Sequence, residues 1–439
     1  MALLTKRVLL SLFAGILAGE IIINNYAFLG TLHALSDLTV MLFSKTWILQ
    51  TFGFMLLMGS VMHLMERSGG VNGFVYMLTH KLSIVKSERA TLLLVYIIGI
   101  IIFIETSITV LIAGSVGRPL CDAHSISRAK LAYVCDSTSA PVGSILMFNG
   151  YGALMLGLIT AQMSLGLIQG ESVEWLIQAV MLNFYSITAL VVTFFVIWYK
   201  IDIGAMKRAF VKHEVSEIKE GGHPWYMVAP IIIMIGGVFL FLYISGGGSI
   251  LKGSGSSSIF YTMVMTLAAS GLYFVISRVM TLKEVLQESL SGARSMVGIT
   301  MILLFAFGIG QVTGDMHTGT YLASYVHAVL SPVWLAAAVF LLASVMSFST
   351  GTSWGTFSIM VPIAVPLAAA MDADTALVLG AVISGGVFGD HCSPISDTTI
   401  ISSMATGCDH VEHVKTQLPY ALISGAIAFS LFALFGMIG

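Results

Sequence analysis

Asp390, His391 and Asp397 share one polar stretch, residues 385–399, reading Gly-Gly-Val-Phe-Gly-Asp-His-Cys-Ser-Pro-Ile-Ser-Asp-Thr-Thr. Carboxylates and hydroxyls are hard oxygen ligands, and a carboxylate or imidazole can also take a proton. Gly389 and Pro394 are expected to break helix there, which would add bare carbonyls to the set. Yet the flanks, 376–387 and 400–405, are apolar. Unpaired backbone and charge at membrane depth survive only where they line a protein cavity. Three further polar stretches lie in apolar surroundings. One carries Glu105, Thr106, Ser107 and Thr109. Another carries Asp136, Ser137, Thr138 and Ser139. The third carries Thr350, Thr352, Ser353 and Thr356, with Gly351 and Gly355 allowing a turn. Plainer roles exist for each. A hydroxyl in a membrane helix often bonds back to its own backbone, Asp390 or Asp397 can cap a helix, and His391 can be a strut instead of a proton carrier.

The elements that must position these groups follow from composition. The chain has 439 residues, 57% hydrophobic and 10% charged, against about 25% charged in soluble domains. This describes an all-α polytopic protein embedded in a lipid bilayer. A net charge of −2 gives no basic footprint for nucleic acid. Cys121, Cys135, Cys392 and Cys408 lack metal-type spacing and read as small core residues. No nucleophile–base pattern stands out, so a non-enzymatic role without cofactor is expected. Apolar runs of about 20 residues place spans at 7–28, 46–65, 175–199, 225–244, 259–277, 295–313 and 417–438. Residues 125–168 form one long helix interrupted at 136–141, and 281–294 a surface helix. The runs 91–116 and 334–371 have polar middles.

Charge decides how those last two runs sit. If both are re-entrant hairpins entering from opposite faces, all of the 20 Lys and Arg except Lys45 and Lys252 fall on one side, as the positive-inside bias requires. The N-terminus is then cytoplasmic. An internal repeat agrees: 103–120 reads FIETSITVLIAGSVGRPL and 348–367 reads FSTGTSWGTFSIMVPIAVPL. The expected fold is an inverted-repeat secondary transporter with two re-entrant hairpins of opposite orientation and two broken transmembrane helices. Residues 1–199 form the N-terminal half, containing the first repeat at 46–199. Residues 200–224 form a cytoplasmic linker, and 225–439 the C-terminal half with the second repeat at 295–439. Such repeats gather a site near the bilayer midplane. The candidate ion or substrate ligands are Glu105, Thr106, Ser107, Asp136, Ser137, Thr138, Thr350, Thr352, Ser353, Asp390, His391, Ser393, Ser396, Asp397 and Thr398. Asp136, Asp390 and Asp397 are the expected Na+ carboxylates. With acids and no Lys or Arg in these stretches, cations are the simpler ligand. Burial also favours the protonated form of a carboxylate, so Na+ and H+ compete for it.

The motifs at 389–399 (GDHCSPISDTT) and 351–356 (GTSWGT) resemble those of the NhaC family of sodium/proton antiporters, within the ion-transporter superfamily. The resemblance is strong in the second half and reaches the first mainly through 136–141. It implies a multi-pass secondary transporter of the bacterial inner membrane, possible as a homodimer, working by alternating access. It also implies ion-site roles for Asp136, Thr352, Ser353, Asp390, Ser393, Asp397 and Thr398. The family includes relatives similar to Na+-coupled carriers or exchangers of a small amino acid or organic acid. Glu105-Thr106-Ser107 stands where internal symmetry would put a second Gly-Thr-Ser tip. That departure leaves open whether Glu105 meets cations or an organic ammonium group.

Overall fold

The computed structural model describes residues 8–81, 87–103, 106–146, 149–209, 222–250, 252–318, 321, 324 and 330–438. Regular structure among them is helical. The first half contains α1 (Val8–Ile23), α2 (Phe28–Ser44), α3 (Thr46–Arg67), α4 (Gly70–Lys81), α5 (Glu88–Ile101) and α6 (Thr106–Ala123). It continues with α7 (Arg128–Ser137), α8 (Ala140–Ile145), α9 (Gly150–Ser164), α10 (Ser172–Met181) and α11 (Phe184–Tyr199). The second half contains α12 (Trp225–Ser245), α13 (Gly255–Ile276), α14 (Leu282–Ser295) and α15 (Val297–Asp315). Then come α16 (Leu335–Thr350), α17 (Ser353–Ala370), α18 (Thr375–Cys392), α19 (Asp397–Thr406) and α20 (His410–Ile438). Ten helical segments among the described residues are long and apolar enough to cross a membrane. The protein is a polytopic helical membrane protein.

The same motif occurs twice. In the first half α5 and α6 form a hairpin, and α5 runs parallel to α7: Glu88 meets Lys130, and Gly99 meets Thr138. In the second half α16 and α17 form a hairpin about Gly351, whose φ of 68° suits glycine. There α16 runs parallel to α18, with Phe340 against Gly385 and Ser344 against Gly389. The helices α7 and α18 approach with their C-terminal ends together, since Ser137 touches His391. The two hairpin–helix units therefore point in opposite directions and meet where both helices break.

Several local expectations change. The first span ends at Ile23, and left-handed Asn25 and Tyr26 (φ 50° and 63°) turn the chain into α2, which the hydropathy reading merged or missed. The plain span at 175–199 is two helices, because Asn183 accepts the Ser186 N–H and starts α11. The helix at 125–168 breaks a second time near Asn149, which caps α9 through the Gly152 N–H at 3.2 Å. Gly389 does not break helix. It lies inside α18, where a Cβ would stand 2.2 Å from the Ser344 carbonyl oxygen. Small residues four apart, Gly385 and Gly389, let α18 and α16 touch backbone to backbone. The amphipathic α14 carries the capping box Thr281/Glu284. It lies along α3, with Gly59 against Gly292 and Glu288 accepting from His63 (2.9 Å) and Arg67 (3.2 Å). Residues 210–221 of the charged linker and Glu105 lie outside the described residues.

Candidate functional site

The second break is short, Ser393–Ser396, and is held by hydroxyls. Ser393 Oγ donates to the Phe348 carbonyl of α16 at 2.7 Å. Asp390, 1% exposed, is the centre of a clamp. Its Oδ2 accepts from Ser353 Oγ (2.8 Å) and the Ser353 N–H (3.3 Å), and its Oδ1 accepts from Ser396 Oγ (2.6 Å). Tyr151 of α9 adds a 2.8 Å hydroxyl contact to Ser353. Asp390 thus ties the second hairpin tip to the far lip of the break, with both oxygens satisfied.

Asp136 differs. It is wholly buried at the end of α7. Its Oδ2 accepts from Thr399 Oγ1 (3.2 Å) and Gln417 Nε2 (2.7 Å), and lies 3.4 Å from His413 Nε2. Its Oδ1 has no hydrogen-bond partner. Gln417 Nε2 also donates to the His391 carbonyl at 2.6 Å. With both of its contacts to pure acceptors, the amide can only be oriented with nitrogen toward them. That orientation leaves Gln417 Oε1 buried and unpartnered, as is His413 Nδ1. Two neighbouring side chains therefore present an unsatisfied oxygen each. Buried acceptors are normally bonded, and oxygens left unbonded beside a carboxylate suit a hard cation. The buried bases stand elsewhere: Arg128 pairs with Asp122 (3.1 Å) and Lys130 with Asp202 (2.9 Å).

His391 bridges the two clusters. Its Nδ1 is 2.6 Å from the Tyr185 hydroxyl and its Nε2 is 3.2 Å from Ser137 Oγ. A neutral ring satisfies both, accepting from Tyr185 and donating to Ser137. A third polar group lies alongside, with Asn183 Nδ2 donating to Ser144 Oγ (2.9 Å) and Ser384 Oγ donating to Asn183 Oδ1 (3.0 Å).

The remaining sequence candidates divide. Thr398 Oγ1 lies 3.0 Å from Ser396 Oγ, within the Asp390 cluster. Asp397 is exposed and begins α19, its carboxylate accepting the Thr398 N–H at 2.8 Å; it is not a buried acid. Thr352 caps α17 through the Gly355 N–H (3.4 Å). Thr350 and Thr138 bond back to Met346 O (2.9 Å) and Val134 O (2.8 Å), which is the plain backbone role. Thr106 and Ser107 are half-buried at the first hairpin tip, and Thr106 lies against Gly143 of α8. Asn149 fastens that tip, donating to the Phe103 carbonyl at 3.0 Å. Gln417, Tyr151, Tyr185 and Asn149 escaped the sequence reading because each lies in a run that reads as ordinary span, and His413 because it lies between runs, just ahead of the last span. The only available signal was a His and a Gln four apart, His413 and Gln417, leading into a long apolar run.

The model of the Na+/H+ antiporter family matches residues 149–437. The chain belongs to the Na+/H+ antiporter family. An uncharacterized protein of Haemophilus influenzae is 32% identical over 447 residues, covering 96% of this chain and 86% of that one. The Na(+)/H(+) antiporter NhaC of Alkalihalophilus pseudofirmus is 31% identical over 142 residues, 32% of this chain and 31% of that one. The Malate-2H(+)/Na(+)-lactate antiporter of Bacillus subtilis is 29% identical over 142 residues, 32% of this chain and 30% of that one. The chain thus matches about a third of the length of these two named relatives. The YdaH transporter of Alcanivorax borkumensis has a similar fold, with a TM-score of 0.63 at 14% identity over 93% of this chain and 89% of that one. This family member is a secondary transporter of the Na+/H+ antiporter type.

Proposed function

We propose that this antiporter exchanges Na+ for H+ at Asp136. One observation carries the reading: a wholly buried carboxylate with one bonded and one unpartnered oxygen, beside the unpartnered Oε1 of Gln417. Na+ is held by Asp136 Oδ1 and Gln417 Oε1. In its absence Asp136 takes a proton instead, so the two ions displace one another. Asp390 acts as the clamp that keeps the second hairpin tip and break in register. Repeats at 46–199 and 295–439 rock against each other about this point to give alternating access. The protein resides in a bacterial inner membrane with the N-terminus and the 200–224 linker cytoplasmic, as the placement of Lys and Arg supports. Reconstituted in liposomes, the protein should dissipate an imposed pH gradient on Na+ addition. No Na+-triggered proton movement would end this reading.

A second reading is favoured by the malate/lactate relative, which matches as long a stretch as the NhaC one. In it, Na+ coupling drives an organic acid or small amino acid. Uptake of labelled solute that depends on Na+ but persists after the pH gradient is collapsed selects it over Na+/H+ exchange.

A further inference from the structure

The face opposite the 200–224 linker carries a cleft that the Asp136 site does not use. Helix α12 leaves the linker at Trp225 and ends on that face at Ser245. Helix α13 returns from it at Gly255, and α10 starts there at Ser172. The loop from α12 to α13 is rich in glycine, and Gly247 and Gly248 take left-handed φ values of 60° and 97°. Its ends are tied, the Ser254 N–H donating to Ser245 Oγ at 3.1 Å. Between this loop, α9 and the starts of α3 and α10 lies a cleft of about 490 Å³.

The starts of α10 and α13 both open into the cleft, at Glu171 and Ser172 and at Ser254–Ser256. No side chain caps either start. Each therefore leaves first-turn N–H groups without acceptors and carries about half a positive charge. Lys252 lines the same wall and is one of the two basic residues that the charge asymmetry leaves on this face. Helix starts at a surface are ordinarily met by water, so these alone assign nothing. Ser256 adds an independent sign. It lines the cleft and is 4% exposed, yet its hydroxyl has no partner among the described residues. Its neighbours are all bonded: Ser254 donates to Ser257 (3.1 Å), Ser257 to Gln50 (2.8 Å) and Ser258 to the Ser254 carbonyl (2.7 Å). Buried hydroxyls are normally bonded, so Ser256 holds a donor for something in the cleft. Glu171 is the opposing charge. Lys252 and the two helix starts sum to about two positive charges, and Glu171 leaves about one. That balance suits a single carboxylate, and Trp47 supplies an apolar wall for the group that carries it. We propose that this cleft binds a small organic monocarboxylate, held by Lys252, Ser256 and the N–H groups that open α10 and α13. The site deepens the second reading of the function, on which its link to transport rests: it would receive the organic solute on the side away from the linker.

Binding is tested on full-length protein in detergent at one pH, with lactate as the probe and lactamide, its neutral isostere, as the control. Acylation of Lys252 by an N-hydroxysuccinimide ester is followed by mass spectrometry. Lys45, on the same face but not lining the cleft, is the internal standard. Lactate should slow acylation of Lys252 in a saturable manner and leave Lys45 unchanged, and lactamide should slow neither. Ser256→Ala should raise the half-protecting lactate concentration about tenfold, the factor for one hydrogen bond to a charged group. No protection by lactate overturns the proposal, as does equal protection by lactamide or by chloride. The wild-type comparison of lactate with lactamide decides even if the variant fails to fold. Asp136→Asn should leave the protection unchanged, which separates this cleft from the proposed Na+ site. Na+-driven uptake of labelled lactate into liposomes is read separately. Protection without uptake upholds the cleft and ends the second reading, whereas uptake without protection ends the cleft.

Discussion

Replacing Asp136 by Asn tests the site most sharply, because loss of ion binding and gain of stability should come together. In the wild type without Na+, at a pH where Asp136 is ionised, Asp136 Oδ1 and Gln417 Oε1 lack partners, and an unsatisfied buried acceptor costs about 1–3 kcal/mol. The Asn side chain keeps its oxygen toward Thr399 Oγ1 and Gln417 Nε2, removes the buried charge, and turns a donor toward the position of Oδ1. In Na+-free buffer D136N should therefore melt no lower than wild type, and be more stable by up to about 2 kcal/mol. Na+ at about a hundred times its Kd stabilises the binding state by about 2.7 kcal/mol, roughly 3 °C in Tm for a chain of this size. Wild type should show that rise and D136N none. The assay is thermal unfolding in detergent, in choline and sodium salts, paired with pH-gradient dissipation in liposomes. A D136N protein that still gains Tm with Na+, or that melts well below wild type without it, refutes the assignment.

Other expectations follow from single contacts. Ser396→Ala removes the 2.6 Å bond to Asp390 Oδ1 and should destabilise by about 1.5–3 kcal/mol, read as a fall in Tm in either salt. Gly389→Ala places a Cβ 2.2 Å from the Ser344 carbonyl oxygen; helix α18 must move off α16, at a cost of more than about 2 kcal/mol, and the yield of folded protein should collapse. Gly236→Ala, with nothing within 4 Å, is the control and should express normally. Gln162 is wholly buried with both amide atoms unpartnered, so Gln162→Leu should raise stability by about 1–3 kcal/mol in the same melts. Burial pushes the Glu88 carboxyl up, but Lys200 (2.6 Å) and Lys130 (3.4 Å) outweigh it and hold it below the usual glutamate range. Its stabilisation is then present above that range and lost as pH falls through the depressed value. Glu88→Gln should flatten the acid limb of the Tm-against-pH curve.

The hairpins were legible because the sequence changes character abruptly at their tips. Thr350, Gly351 and Thr352 interrupt an apolar run, and lysines and arginines flank only one of the two hairpins. The breaks near Asn183 and Asn149 were not legible. One capping asparagine replaces the missing backbone partner, so the hydropathy profile never dips. Gly389 misled for a related reason. Glycine in a membrane helix marks either a turn or a close approach, and only the facing backbone of α16 decides which. The acids of the site were found by type, but their state could not be. Asp397 looks like Asp390 in sequence, yet one is exposed at a helix start and the other has 1% of its surface exposed. The partners that distinguish them come from elements remote in the chain.

That distinction bears on which acid does the work. Asp136 and Asp390 sit at the C-terminal ends of α7 and α18, the matching positions of the two hairpin–helix units. A pseudo-symmetric pair invites equal roles, but their hydrogen bonding is unequal. Asp390 already receives three donors across both oxygens, and a cation would have to displace hydroxyls that also hold the hairpin tip. Asp136 can take a cation on Oδ1 without breaking any contact it makes through Oδ2. A carrier that cycles between two faces needs a rigid partner for its moving site. On these contacts the second break supplies the rigid lip, and the proposed Na+ ligands come from α7 and α20. Ser396→Ala and Asp136→Asn should therefore separate cleanly, the first lowering Tm while Na+ still raises it, the second abolishing the Na+ response at undiminished Tm.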